Sequence, residues 1–292
     1  MKYRDVELYY QQALDDVGTK ILDLRTSDPI SAVRLNVLGP YGRENGLNDV
    51  VTKIELVDGS DQLLSLTLKE AQALEFRRTG KMPYMRPGEK ASGGQEESVM
   101  LLFGRHLWDP EYYMDLTRFR NPQLKITTNI AAVAAASATA FLTNYLKFSL
   151  DLLVMEEGAM PAKGFMSAKN IYGFTAATSG DEHIDMPIDY PYVNLMMRAF
   201  VAGNDVNENL SKLKINCDAG KFIPVDKYVK DLWKAEEQDL GPAELRYNIF
   251  RAHDATVTHD LNHDPVISLI PISAGLIANA GWSWSSRFYL SL

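Results

Sequence analysis

"AVRLNVLGPYG", Ala32 to Gly42, is an alternating apolar run with one arginine, Arg34, set inside it and Gly39 near its close. Nearly the same phrase returns far downstream as "LMMRAFVAGND", Leu195 to Asp205, with Arg198 and Gly203 in the same relative places. Upstream, "ILDLRTSDPISAVRL" is similar to "IDMPIDYPYVNLMMR", which sets Pro29 against Pro191. Downstream, "KIELVDG" meets "KINCDAG", Ile54 with Ile215 and Gly59 with Gly220. Both copies then enter a stretch with helical signals. In "TLKEAQALEFRR", Thr67 and Glu70 are spaced as a capping box, and in "VDKYVKDLWKAEE" Asp226 is the expected N-cap. The period is roughly 160 residues, the size of a domain and far from the ~20–50 of solenoid repeats. Order, spacing and element type agree, so the chain reads as a tandem duplication.

Each copy reads as strand, strand, Gly-rich loop, strand, turn, strand, helix, followed by more strands. Ile54 and Leu56 alternate with Lys53 and Glu55, as Ile215 and Cys217 alternate with Lys214 and Asn216, the period of an antiparallel sheet buried on one face. After the helix come "SVMLLFG", "QLKITTN" and "YLKFSLDLLVME" in the first copy and "LRYNIFR", "VISLIPIS" and "SRFYLSL" in the second. Short strands separated by Gly and Pro turns predict a sandwich rather than βαβ units. Gly39, Gly59, Gly203 and Gly220 are expected to serve turns with positive φ. Arg34 and Arg198 carry no catalytic implication alone; a solvated face or a domain interface, with the stem packed along the sheet, is their expected place.

Composition limits the function. The 292 residues are 46% hydrophobic and 23% charged, an ordinary globular balance. A net charge of −8 and a pI near 5.2 argue against wrapping nucleic acid through a basic surface. Cys217 is the single cysteine, so no internal disulfide forms, and its apolar alternation predicts a core thiol in a protein that folds in a reducing cytoplasm. At the N-terminus Val6, Tyr9, Tyr10, Ala13, Leu14 and Val17 stand at helical spacing up to Gly18, and predict a helical arm rather than a signal peptide. The longest apolar stretch, Ile130 to Leu142, falls well short of the ~20 residues that span a bilayer. Its flanks alternate like strands, so it is expected to be a connection between two of them.

The densest chemical signal is "HDATVTHDLNHD", where His253, His259 and His263 are each followed by an aspartate, Asp254, Asp260 and Asp264. Imidazole and carboxylate suit Zn, Fe or Mn. The spacings fit no helical HExxH pair and no HxH or HxD pair of the kind jelly-roll oxygenases carry on a strand, and Thr256, Asn262 and Pro265 point to a solvated loop without metal. Phosphate-binding loops and a serine elbow are absent from the sequence. The turns "DGSDQ" (Asp58 to Gln62) and "GNDVNEN" (Gly203 to Asn209) hold oxygen ligands for calcium but lack EF-hand spacing, and read as hairpin turns. Trp282 and Trp284 share one face of a terminal strand, where buried packing is expected and a sugar platform is the alternative.

Two tandem sandwiches of this size, each with its helix after the fourth strand, resemble the double jelly-roll major capsid proteins of icosahedral viruses. The segments "PQLKITTNIAAVAAASATAFLTNYLKFSLDLLVMEE" and "YVNLMMRAFVAGNDVNENLSKLKINCDAGKFIPVDKYVKDL" carry the likeness, which spans Lys20 to Leu292 and points to small prokaryotic members. The resemblance implies an all-β fold of two tandem eight-stranded jelly-roll β-sandwiches with short helices. It is divided as an N-terminal helical arm (residues 1–19), jelly roll 1 (20–157) and jelly roll 2 (158–292). It also implies a homotrimer, a pseudo-hexagonal tile in the capsid of a virion, a bacteriophage for instance, assembled in the host cytoplasm. Expected partners are neighbouring trimers, vertex and minor capsid proteins, and an internal membrane or the genome on the inner face. It implies no catalytic residues, no cofactor, no metal and no specific small-molecule ligand. The alternatives are a metal-dependent bicupin-like β-sandwich enzyme using His253, His259 and His263, and a two-domain carbohydrate-binding protein.

Overall fold

The first half of the chain pairs as an antiparallel ribbon. β1 (Lys2–Ala13) pairs with β9 (Lys147–Glu157), β2 (Val17–Asp23) with β8 (Pro122–Asn129), β3 (Ile30–Gly39) with β7 (Gln95–Leu102), and β4 (Val51–Asp58) with β5 (Asp61–Leu66). Rolling this ribbon up brings β3 beside β9 and β4 beside β8. Two sheets result, β1-β9-β3-β7-β6 and β2-β8-β4-β5, where β6 is the short strand Met85–Arg86. This winding is a jelly roll. The computed structural model describes residues 2–39, 47–81, 83–86, 95–130, 144–175, 179–199 and 209–240, together with short strands at 248–250, 277–279 and 289–291.

Alternation along each strand turns one face of each sheet inward. Val33, Leu35 and Val37 of β3, Phe148, Leu150, Leu152 and Val154 of β9, Ile54 and Leu56 of β4, and Leu124 and Ile126 of β8 are at most 1% exposed and form one continuous core. Each such side chain contributes about 1.5–3 kcal/mol of burial relative to exposure. Gly39 belongs to this packing and not to a turn. It is a strand residue, and a Cβ there would collide with Leu47. Gly59 (φ 62°) and Gly220 (φ 86°) do occupy left-handed turns, as expected.

Two edges of the sandwich are covered. Helix α2 (Leu68–Thr79) starts at the expected capping box: the Glu70 N–H donates to Thr67 Oγ1 (3.2 Å) and the Thr67 N–H to Glu70 Oε2 (2.8 Å). It lies along β7, where Glu75 accepts from the Met100 N–H (2.8 Å) and Arg78 donates to the Leu102 carbonyl (2.6 Å). The chain that leaves β9 covers β5: Ser65 donates to Ala168 O (2.9 Å) and Asn170 donates to Ser65 O (2.8 Å). Edge carbonyls and amides that would otherwise pair with another molecule are thereby satisfied. Among the described residues no strand pairs with the outer edges of β1 and β2.

The expected N-terminal helix is a strand. Residues 2–13 form β1, a half-exposed edge strand in which only Val6, Leu8 and Tyr9 turn toward the core. Register shifts between Glu7 and Tyr9 and between Tyr9 and Gln12, with Gln11 at φ 45°, displace its side chains from strict alternation. Its apolar residues therefore mimic helical spacing. The residues assigned to an arm outside the first roll form its first strand and the start of its second.

In the second half, β10 (Met196–Arg198) pairs with β15 (Tyr289–Ser291), and β11 (Lys212–Cys217) with β12 (Phe222–Tyr228), which leads into α3 (Val229–Leu240); β13 (Asn248–Phe250) pairs with β14 (Ile277–Asn279). The hairpin and helix β11-β12-α3 repeat the order of β4, β5 and α2. Arg34 lies opposite Asp151 on β9, and Arg198 opposite Tyr289 on β15, so each arginine strand pairs with a strand near the end of its half. Asp226 is not an N-cap: it lies in β12, opposite Lys214, with Lys212 Nζ 2.6 Å from its carboxylate. Cys217 is half-buried at the end of β11, not a fully enclosed core thiol. Gly203, residues 131–142 of the apolar connection, the histidines and aspartates of 253–264, and Trp282 and Trp284 lie outside the described residues. The strands expected on either side of the apolar connection are β8 and β9.

Candidate assembly surface

On the outer face of the five-stranded sheet, Arg34 bridges β1 and β9: its Nη1 is 3.0 Å from Asp5 Oδ2 and 3.7 Å from Asp151 Oδ2. Burial, with the Asp5 and Glu7 carboxylates beside it, pushes Asp151 up, and the Arg34 guanidinium opposes this. The opening arginine is thus a cross-strand tie, on a solvated face as its pattern implied. Further along the same face the sheet is roofed. Ala32, Leu102 and Leu153 form a small apolar cluster under Met100, Leu107 and Trp108, and the Tyr3 ring stacks on Trp108 at 4.3 Å. Trp108 itself has φ 66°, a strained conformation for a bulky residue, held by its N–H donating to Ser31 Oγ (2.7 Å).

Asp109 pins this roof. It is 0% exposed and accepts the backbone N–H groups of Arg105 (3.1 Å), Glu111 (3.0 Å) and Tyr112 (3.3 Å). The Arg105 guanidinium grips both its oxygens, Nε at 2.6 Å and Nη2 at 2.9 Å, and holds its carboxyl well below the usual range. Arg105 Nη2 also reaches Glu111 (2.9 Å), which Lys163 meets from the following segment (2.6 Å). No motif considered from the sequence marks this site. Its signal was present in "WDPEYY", where an aspartate followed by proline favours a turn closed by the aspartate on amides beyond it.

A second polar cluster lies buried where α1 (Leu47–Val50) and α2 meet β7. Glu97 accepts from Gln72 Nε2 (3.1 Å) and from the Asn48 and Leu47 amides, and Lys69 pairs with Asp49. Burial pushes Glu97 up to about 7 against those donors, and burial pushes Glu75 up to about 7 although Met100 donates to it and Arg34 is near. An unfolded glutamate titrates near ~4.3, so the folded chain binds these protons more tightly. Their stabilising contribution is complete below that value and is lost as pH rises through 7. Thermal unfolding is therefore expected at a Tm several degrees higher at pH 5.5 than at pH 8, about 1 kcal/mol being worth ~2–4 °C in a domain of this size. Glu97→Gln is expected to raise Tm at pH 8 and flatten the pH profile; an unchanged slope would show that Glu97 carries no such linkage.

Among the described residues, a run of exposed apolar side chains lies in the segment that follows the first roll. Ile188, Tyr190 and Val193 are 93%, 80% and 76% exposed, with Ile171, Tyr172 and Phe174 also exposed. Among the described residues no three His, Cys, Asp or Glu side chains are placed to hold a metal. The described helices include none long and apolar enough to cross a membrane. What the described part offers is covered edges on one side of a roll, open edges on the other, and an apolar strap.

The fold is the all-β double jelly roll. No family model matches the chain, and no curated protein matches it by sequence. Solved structures do. The crystal structure of the major capsid protein of Sulfolobus turreted icosahedral virus superposes with a TM-score of 0.61 at 12% identity, covering 100% of this chain and 95% of that one. A chain of the atomic structure of the same virus gives a TM-score of 0.50 at 11% identity, over 100% of this chain and 89% of that one.

Proposed function

We propose that the chain is the major coat subunit of an icosahedral virus, with residues 158–292 forming the second jelly roll, and that three copies make a pseudo-hexagonal tile. The observation that carries this is the shared fold over the full length of this chain and nearly the full length of the viral capsid protein. Two similar rolls per chain give a trimer six near-equivalent flanks, and closed rotational symmetry lets one patch serve every contact. The role is structural, not enzymatic; the partners are copies of itself, with vertex and minor capsid proteins at particular positions in the shell and a membrane or genome beneath it. The protein resides in the virion after assembly in the host cytoplasm. The similar structures come from a virus of Sulfolobus, so a prokaryotic host is the broad reading and a bacteriophage the narrower one. Sedimentation of the purified protein is expected to give a trimer, and negative-stain images of its source icosahedral particles. A monomer at high concentration, with no particles in the source, would overturn the proposal.

A further inference from the structure

Two exposed pieces of the second half are complementary. The strap 181–193 carries Asp181, Glu182, Asp185 and Asp189 with His183 as its one basic residue. Internal bonds hold its shape: Tyr172 OH donates to Glu182 Oε1 (2.7 Å) and Tyr192 OH to the Pro187 carbonyl (2.6 Å). Beside these ties Ile188, Tyr190 and Val193 project largely into solvent. A side chain as apolar as Ile188 is stabilised when covered, yet no described residue of its own chain covers it.

The hairpin β11-β12 and the start of α3 have the opposite sign. Lys212, Lys214, Lys221, Lys227 and Lys230 are exposed there against Asp218, Asp226 and Asp231, and Lys212 is already engaged with Asp226. Apolar side chains stand among the lysines: Phe222, Ile223 and Tyr228 are all exposed. One surface is therefore acidic with protruding aliphatic and aromatic groups, and the other is basic with apolar groups between its charges. Charge of opposite sign fixes which surfaces meet, and burial of the apolar groups supplies the affinity.

We infer that the strap of one copy docks on the β11-β12 hairpin of the next copy. The contact is heterologous, since two different patches meet, and repetition by a rotation closes it into a ring. This rests on the coat reading, in which that ring has three members. A second copy is the occupant because both surfaces lie on this one chain and every copy in a shell supplies both.

The test begins with unaltered protein. Copies grown in ¹⁴N and ¹⁵N medium are mixed, reassociated and treated with a carbodiimide, which joins carboxylates to amines in direct contact. Strap–hairpin peptides joining the two labels are expected. Asp181→Lys, Asp185→Lys and Asp189→Lys together, or Lys221→Glu, Lys227→Glu and Lys230→Glu together, are each expected to abolish the trimer boundary in sedimentation while the circular dichroism spectrum keeps its folded β shape. The chain carrying all six is expected to regain it. Links confined to a single label would show that the strap folds onto its own hairpin, and would overturn the inference. Trimers that form without these links, or that survive both charge reversals, would overturn it and leave the coat reading standing. Wild-type protein that is a monomer throughout would overturn both.

Discussion

Asp109→Ala is expected to destabilise the first roll by about 3–5 kcal/mol, read from chemical denaturation. The carboxylate is enclosed and serves three backbone N–H groups, those of Arg105, Glu111 and Tyr112, besides the guanidinium. A buried donor left without its acceptor costs about 1–3 kcal/mol. Arg105 remains half-exposed and can turn to water or keep Glu111, so the orphaned amides carry most of the effect. Asp109→Asn keeps one acceptor oxygen and is expected to lose roughly half as much. The direction of the Asp109 shift adds a pH signature. A folded carboxyl held below its unfolded value of ~3.9 contributes stability present above that value and lost as pH falls through the folded one. The wild-type advantage over Asp109→Ala is thus expected to be constant from pH 8 down to about pH 4 and to shrink only in stronger acid. A loss under 1 kcal/mol for Asp109→Ala would show that the three amides reach solvent.

Phe148→Ala is expected to cost a similar amount, about 3–5 kcal/mol, through the cavity it leaves. Phe148 is 1% exposed and lies on β9 between β1, opposite Gln12, and β3, opposite Val37. The Tyr9 ring packs against it at 5.9 Å, one of few side chains through which β1 grips the core. The cavity therefore opens under an edge strand that turns few side chains toward the core. Hydrogen exchange is expected to speed up in β1 well before β3 or β7, and uniform acceleration would contradict this division of strength.

How much of this was legible in the sequence depended on how regularly each element buries a face. Ile54 and Leu56 of β4 sit in a paired, central strand, so their alternation was plain and the structure keeps it. The Thr67–Glu70 box could be read because a cap is a local device, closed within four residues. β1 could not, because an edge strand with bulges buries few side chains and those few lose their alternation. Gly39 departs from the expected turn for a different cause: nothing near it in sequence reveals that Leu47 folds back against its α-carbon. Asp226 had the right chemistry for a cap, but the strand runs past it, to Tyr228, before the helix begins. The Glu97 cluster joins α1, α2 and β7, so no short motif could announce it.

The pairing of β1 with β9 has a consequence for synthesis of the chain. Lys2 finds its partner at Glu157, and the strand cannot dock until that residue has left the ribosome. Translation at about 5–20 residues per second leaves the first strand waiting on the order of ten to thirty seconds, with its tyrosines and its main-chain edge exposed to the cell. The β4–β5 hairpin, whose strands are separated by a two-residue turn, needs no such delay. Emergence therefore matures the roll from the middle of the ribbon outward, and the strand made first is the last to find its place.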